Sequence, residues 1–333
     1  ANVTLARTDT DLAFQMGYDS DLFNRWQATQ DYAARLLVAA VGDLRGGKRP
    51  QRPDAFVAAL MRSISDNTLD PAYRAQLLSM PSEGDIARII GRDVDPSAIH
   101  KASKWLLKII GTAAADGLCD IYDRLQSKSR YVPSAEDSGR RALRNRAMAM
   151  LLHRGKAEDV ARVRAHFDSA RNLTDESYAL ALLSLATGPV AKEAFDRFHD
   201  RWKDDHIVID QWFALQASAP HASSLATTKR LMKHPLFAMT NPNKVRALLF
   251  AFAGANQVNF NRPDGAGYEF IAAEVKALDR INPQVAARLM GAFRSWRALE
   301  PVRRKAARKA IAALAKSKPL SRDVYEIASK IIE

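Results

Sequence analysis

Apolar residues recur along most of this chain at three- and four-residue spacing, the repeat that puts them on one face of an α-helix. After Ser20 as a candidate N-cap, Leu22, Phe23, Trp26, Tyr32, Leu36, Leu37, Ala40, Val41 and Leu44 form the stripe of one long amphipathic helix, which Gly46 and Gly47 stop. The same period predicts helices over 54–65, 71–80, 96–126 (with a possible break near Gly111 or Gly117), 135–154 and 157–169. It continues over 175–187, from Pro189 onward, and over 207–217, 223–233, 241–255, 268–280, 283–298, 301–316 and 322–332. Strand-like alternation is convincing nowhere.

Helices of one to two dozen residues joined by short loops suit a superhelical stack, in which each pair buries its stripe against the next. No fixed-period signature repeats, so the expectation is an all-α, irregular right-handed α-superhelix, a HEAT/ARM-like stack of antiparallel helix pairs with a concave face. Residues 1–18 read as a tail left from a preceding domain, and residues 19–333 as one all-helical domain.

Composition agrees. With 15 glycines and 14 prolines in 333 residues and a hydrophobic fraction of 47%, helices are rarely interrupted and disorder is excluded. No apolar run reaches the ~20 residues needed to span a bilayer. The single cysteine, Cys119, rules out a disulfide framework within the chain, reads as a buried thiol, and fits a cytoplasmic setting. Fifty basic against thirty-seven acidic residues give a formal charge of +13, which raises the question of acidic partners. The excess is partly local, in Arg45, Lys48, Arg49 and Arg52 and in the stretch from Arg294 to Lys318.

Several patterns resemble catalytic or binding motifs and fail on their own chemistry. Gly42 to Lys48 has the spacing of a phosphate-binding loop, but Arg49 stands where a Ser or Thr must hold magnesium, and the preceding element is helical. None of the seven histidines is followed by Glu, and no two lie four residues apart, so no H-E-x-x-H zinc site exists in the sequence. Asp196, Asp200 and Asp204 form a carboxylate row, interspersed with Arg197, Arg201 and Lys203 as on a solvated helix face. The five tryptophans lie in helix stripes as core anchors. Only Phe293 to Arg297 interleaves aromatic and basic residues as a nucleic-acid platform would.

The stretch from Asn241 to Leu289 carries the most specific wording: Asn-Pro-Asn, Phe-Ala-Gly, Asp-Gly-Ala-Gly-Tyr and Asn-Pro-Gln-Val-Ala, in that order. Locally, Asn241 and Asn282 are N-caps with a proline at the first helical position, and Asp264 to Gly267 is a turn that admits positive φ. Together these motifs resemble the C-terminal helical domain of bacterial zinc aminopeptidases of the aminopeptidase N type. The likeness extends to the Asp21-Leu-Phe-Asn-Arg-Trp-Gln-Ala opening and to Ser321-Arg-Asp-Val-Tyr-Glu near the end.

The resemblance implies a helical bowl that caps a catalytic domain, in a chain without the zinc site. Zinc would belong to the parent enzyme, with no cofactor in this segment and no catalytic residue. The partners would be the catalytic and β domains of the parent chain and its peptide substrates, with neither membrane nor nucleic acid. The resemblance also places Gln284, Arg288 and Arg246 at the substrate cavity, as binding groups for residues beyond the scissile bond. By periodicity alone, Gln284 and Arg288 are polar surface residues on one helix face. The alternative is a free-standing basic helical scaffold that binds nucleic acid or an acidic protein.

Overall fold

The computed structural model describes residues 7–127, 131–186 and 188–333. Among these residues there is no strand, only an isolated parallel bridge between Val94 and Leu299, and no helix is long and apolar enough to cross a membrane. The fold class is the expected one, all-α and built from packed helix pairs. Contacts divide the chain into two compact units.

Unit 1 comprises residues 1–89 and 97–183. Its helices are α1 (Asp9–Tyr18), α2 (Leu22–Arg45), α3 (Asp54–Ser65), α4 (Pro71–Leu77), α5 (Glu83–Ile90), α6 (Pro96–Ala113), α7 (Ala115–Arg124), α8 (Ala135–Leu152), α9 (Ala157–Ser169) and α10 (Leu173–Leu183). The α2 stripe buries Ala28, Tyr32, Ala33, Leu37, Ala40 and Val41, and each fully buried large apolar side chain contributes roughly 1.5–3 kcal/mol. Its N-cap is Asp21, whose carboxylate accepts from Phe23 N and Asn24 N, rather than Ser20. Helix α1 packs on α2 and α3. It is closed by a Thr8/Asp11 capping box and buries Leu12 and Met16. Residues 9–18 are thus folded into the helical unit where a tail was expected, because those two apolar side chains find a core; residues 1–6 of that tail lie outside the described residues.

The predicted 96–126 helix breaks at Ala114, at neither glycine. Gly111 instead lets α6 approach α8, since a Cβ there would lie 2.2 Å from the Met150 carbonyl oxygen. Helix α10 begins two residues before its predicted start, because Asn172 Oδ1 accepts from Asp175 N at 2.9 Å; Thr187, its predicted end, lies outside the described residues. At the end of α8, burial and the charge of Lys104 push the His153 imidazole down to about 4.

Unit 2 comprises residues 90–96 and 184–333. Its helices are α11 (Pro189–Trp202), α12 (His206–Ser218), α13 (Ser224–Leu231), α14 (Pro242–Val245), α15 (Ala251–Ala255), α16 (Gln257–Phe260), α17 (Ala266–Asp279), α18 (Pro283–Leu289), α19 (Pro301–Lys316) and α20 (Arg322–Ile332). A π-helical turn, Arg246–Phe250, joins α14 to α15, and two 3₁₀ turns, Met290–Phe293 and Trp296–Ala298, follow α18. The single helices expected over 241–255 and 283–298 are therefore interrupted, the second next to Gly291, which disfavours a helix interior.

Phe260, Tyr268 and Phe293 pack edge to face at 5.2 and 5.4 Å. The buried Arg303 guanidinium donates from Nε to Asn261 O at 2.6 Å and pairs with Glu300 and Asp95 at 3.0 and 3.3 Å. The 90–96 strip is held on the same region by Val94 N donating to Ala298 O at 2.8 Å and Glu300 N donating to Val94 O at 2.9 Å.

The Asp-Gly-Ala-Gly-Tyr stretch uses its two glycines differently. Gly265 has φ +77°, which costs other residues about 1–2 kcal/mol. Gly267 opens α17 against the Phe260 and Asn259 carbonyl oxygens, which a Cβ would meet at 2.3 and 2.4 Å. Gly267→Ala is expected to destabilise unit 2 by about 1–3 kcal/mol in urea unfolding, since neither carbonyl can move without displacing the Phe260 ring; an unchanged midpoint would refute the close approach.

The His153 shift also has a sign. With a folded pKa below that of the unfolded chain, the neutral ring stabilises the fold fully above about pH 6.5 and progressively less as pH falls from 6.5 to about 4. His153→Gln should flatten the pH dependence of the unfolding midpoint over that window, and the same slope in both proteins would contradict the burial argument.

Candidate functional site

Helix α18 starts where Asn282 caps it, Oδ1 accepting from Val285 N at 3.1 Å, with Pro283 at its first position. Val285, Ala286 and Leu289 point into the core. That orientation leaves Gln284 and Arg288, one turn apart, on the exposed face. Neither side chain makes a hydrogen bond or ion pair among the described residues.

Arg246 is built on a different element. Asn241 Oδ1 accepts from Asn243 N at 2.9 Å to start α14, and Arg246 is the first residue of the π turn. Its exposed guanidinium accepts nothing and donates from Nη1 to Asn243 Oδ1 at 3.0 Å. Beneath it the buried Lys244 ammonium pairs with Asp210 at 2.7 Å and donates to His206 O at 3.1 Å, fixing α14 to α12. At the far end, Asn256 Nδ2 donates to Ala217 O and Ala219 O at 2.9 and 2.7 Å. The π turn is thus clamped at both ends, and single π turns inside helices occur often at functional positions. No hydrogen bond or ion pair links Arg246 to Gln284 or Arg288 among the described residues; the three are solvent-facing donors on two elements of unit 2.

The remaining motifs resolve into packing. Gly42 lies inside α2 and the loop beyond Arg45 carries no helix N-terminus for a phosphate. Asp196 pairs with Lys192 at 2.5 Å, and Asp200 lies 3.5 Å from His199. Cys119 is half-buried rather than fully buried. Phe293 and Trp296 are both in the core, Trp296 Nε1 donating to Ile331 O at 2.7 Å, so the one basic-aromatic stretch offers no stacking platform. Trp212 is buried likewise, while Trp26, Trp105 and Trp202 are only half-buried. His199 and His234 have ring centroids 5.3 Å apart, but no group of three or more His, Cys, Asp or Glu able to hold a metal occurs among the described residues.

One constellation was not singled out by motif reading. In unit 1 the Asp175 carboxylate accepts from Arg144 Nη2 at 2.6 Å, Asn172 Nδ2 at 2.8 Å and Asn145 Nδ2 at 3.1 Å. His166 Nε2 lies 3.8 Å away, and His166 Nδ1 meets the Tyr122 hydroxyl at 3.0 Å. Burial works against ionisation of Asp175, and the His166 and Arg144 contacts outweigh it, holding the carboxyl well below its usual range. Burial raises the Tyr122 phenol, so it is a poor nucleophile. The signal in the sequence was the Arg140/Arg144 pair on one face of α8.

The architecture is all-α, built from packed helices. A family model described as "Domain of unknown function (DUF3458_C) ARM repeats" matches residues 9–333, and the chain belongs to that family. Aminopeptidase N of Caulobacter vibrioides is 34% identical over 331 residues, which cover 99% of this chain and 38% of that protein. Aminopeptidase N of Escherichia coli is 33% identical over 329 residues, 98% of this chain and 37% of that one. The crystal structure of Legionella pneumophila aminopeptidase A in complex with aspartic acid superposes with a TM-score of 0.89 at 25% identity, over 99% of this chain and 39% of that chain. The chain therefore spans under two fifths of these relatives, and it corresponds to the C-terminal helical domain of aminopeptidase-N-type enzymes.

Lys244→Met should leave Asp210 without its cation and detach the His206 carbonyl. A loss of roughly 1.5–3 kcal/mol in unfolding free energy is expected, and a neutral substitution would show that the α14–α12 tie is not held by this pair.

Proposed function

We propose that this chain is the non-catalytic C-terminal domain of a cytoplasmic zinc aminopeptidase that removes N-terminal residues from peptides. In this reading the zinc, and the groups that act with it, belong to another domain of the parent enzyme. This domain encloses the substrate cavity and limits which peptides enter. Gln284, Arg288 and Arg246 would contact the peptide beyond the scissile bond, where a guanidinium can pair with a carboxylate or carbonyl oxygen.

The observation that carries the reading is the state of Gln284 and Arg288. Much of the chain's arginine is bound to its own carboxylates or carbonyls, whereas this pair is held outward on a capped helix with every side-chain donor unspent. Contact with further domains of a longer chain is supported by an exposed aromatic patch on α1 and α2. There Phe14 stacks on Tyr18 at 5.0 Å, and Phe23 packs on Trp26 at 5.8 Å. Phe14, Tyr18 and Phe23 are 67, 56 and 65% exposed, more apolar surface than an isolated helix pair needs to show.

The test is Arg288→Ala in the full-length parent enzyme. A hydrogen bond to a charged group is worth roughly 1.5–3 kcal/mol, so kcat/KM should fall about ten- to hundredfold for peptides that extend beyond the scissile bond. A single amino acid joined to a small chromophore, too short to reach Arg288, should be cleaved nearly as before, with zinc content unchanged. Equal losses on both substrates, or no loss on either, would remove the binding role.

A further inference from the structure

Unit 1 contains a cavity of about 610 Å³ at the junction of α8, α9 and the start of α10. Four arginines line it, Arg140, Arg141, Arg144 and Arg171, against two carboxylates, Asp137 and Asp175. Such a concentration of guanidinium groups is unfavourable unless each is neutralised, and like charges one helical turn apart repel. Arg140 and Arg144 stand in that relation on α8.

Their donors are unequally used. Arg141 is spent locally: it donates to Val132 O and Ser138 Oγ and lies over the Tyr131 ring at 4.6 Å. Arg144 is 5% exposed and gives Nη2 to Asp175, while its Nε is buried with no hydrogen-bond partner. Asp175 already accepts from Arg144, Asn145 and Asn172 and makes no bond to a second guanidinium among the described residues. Arg140, half-buried beside Arg144, has no hydrogen bond or ion pair among the described residues. A buried guanidinium N–H without an acceptor costs the desolvation of a charged donor, and the Arg144 side chain also lines the cavity.

We propose that this cavity is a binding site for a small oxyanion of the phosphate class, free phosphate or a phosphate monoester, held between Arg140 and Arg144. Four arginines against two carboxylates give the lining side chains a formal excess of two positive charges. A phosphate carrying about −1.5 to −2 at neutral pH offsets that excess, where a monocarboxylate offsets half of it. Its tetrahedral oxygens can take a guanidinium N–H from each arginine, at the short distances of charge-assisted bonds. At about 610 Å³ the cavity exceeds the volume of a bare phosphate, which leaves room for the organic part of an ester.

The experiment is calorimetric titration of the 333-residue chain with inorganic phosphate, phosphoserine, acetate and chloride at one fixed ionic strength, which removes general screening as a cause. Phosphate is expected to bind saturably with Kd of about 1 mM or tighter, and phosphoserine binding more tightly than phosphate would mark the ester as the ligand. Arg140→Gln, at a position with no internal partner, should keep the melting temperature of the ligand-free protein and weaken phosphate binding about tenfold or more. Arg144→Gln disturbs Asp175 as well, so its melting temperature is measured first and its binding is read only if it folds. Binding no tighter than chloride, acetate equal to phosphate, or Arg140→Gln binding phosphate as well as the parent would each overturn the assignment.

Discussion

Short helices have many ends, and how those ends are satisfied governs the rest of this structure. Each helix leaves four N–H groups and four carbonyls without intrahelical partners, so a chain that turns back every one or two dozen residues must supply caps repeatedly. It does so with Thr8, Asp21, Asp70, Ser134, Asp205, Asn241, Asn282, Glu300 and Ser321, each accepting from the first turn of the helix it opens. At about 1 kcal/mol per cap, the sum is comparable with the net stability of a domain. The caps also fix where each apolar stripe begins, and hence which side chains face inward.

This explains what could be read from the sequence. Where a Pro at the first helical position follows a capping residue, as at Pro242, Pro283 and Pro301, the predicted starts coincide with the observed ones. The ends at Ser65, Ser169, Lys316 and Ile332 were legible from the loss of period alone. Helix α5 was not, although Ser82 and Asp85 form a reciprocal cap: its eight residues bury only Ile86, too little for a stripe. The breaks within 241–255 and 283–298 were hidden for the opposite reason. Periodicity persists through a π or 3₁₀ turn, because one residue more or less per turn changes the backbone without changing which residues are apolar.

Glycine was the more misleading signal. Gly111 reads as a helix break and is a contact point between α6 and α8; Gly267 reads as turn flexibility and is a steric requirement. In both cases a backbone carbonyl oxygen occupies the place of a Cβ, from another helix at Gly111 and from the preceding short helix at Gly267, and the apolar period does not reveal it. The site residues show the same limit. Exposure of Gln284 and Arg288 follows from Val285, Ala286 and Leu289 being apolar, but periodicity does not say what an exposed residue meets. The cavity beside Arg144 required knowledge that residues near 144, 166 and 175 meet.

A formal charge of +13 is counted along the sequence, and the structure shows that a few of the arginines behind it lie inside the fold. Arg25, Arg74, Arg144 and Arg303 are buried, and each gives a donor to a backbone carbonyl, a hydroxyl or a carboxylate of its own unit. Such arginines are internal cross-links between helices, doing what a strand ladder would do in a sheet protein, and the donors they spend in this way are not free for a ligand. Other arginines keep side-chain donors that no group of the chain takes up. Arg288 and Arg246 project from two elements of unit 2, and Arg140 stands beside the orphaned Arg144 Nε in unit 1. Arg246 is oriented by its bond to Asn243, whereas Arg288 and Arg140 have no internal side-chain partner, so fixing either guanidinium on a ligand costs side-chain entropy that the contact must exceed.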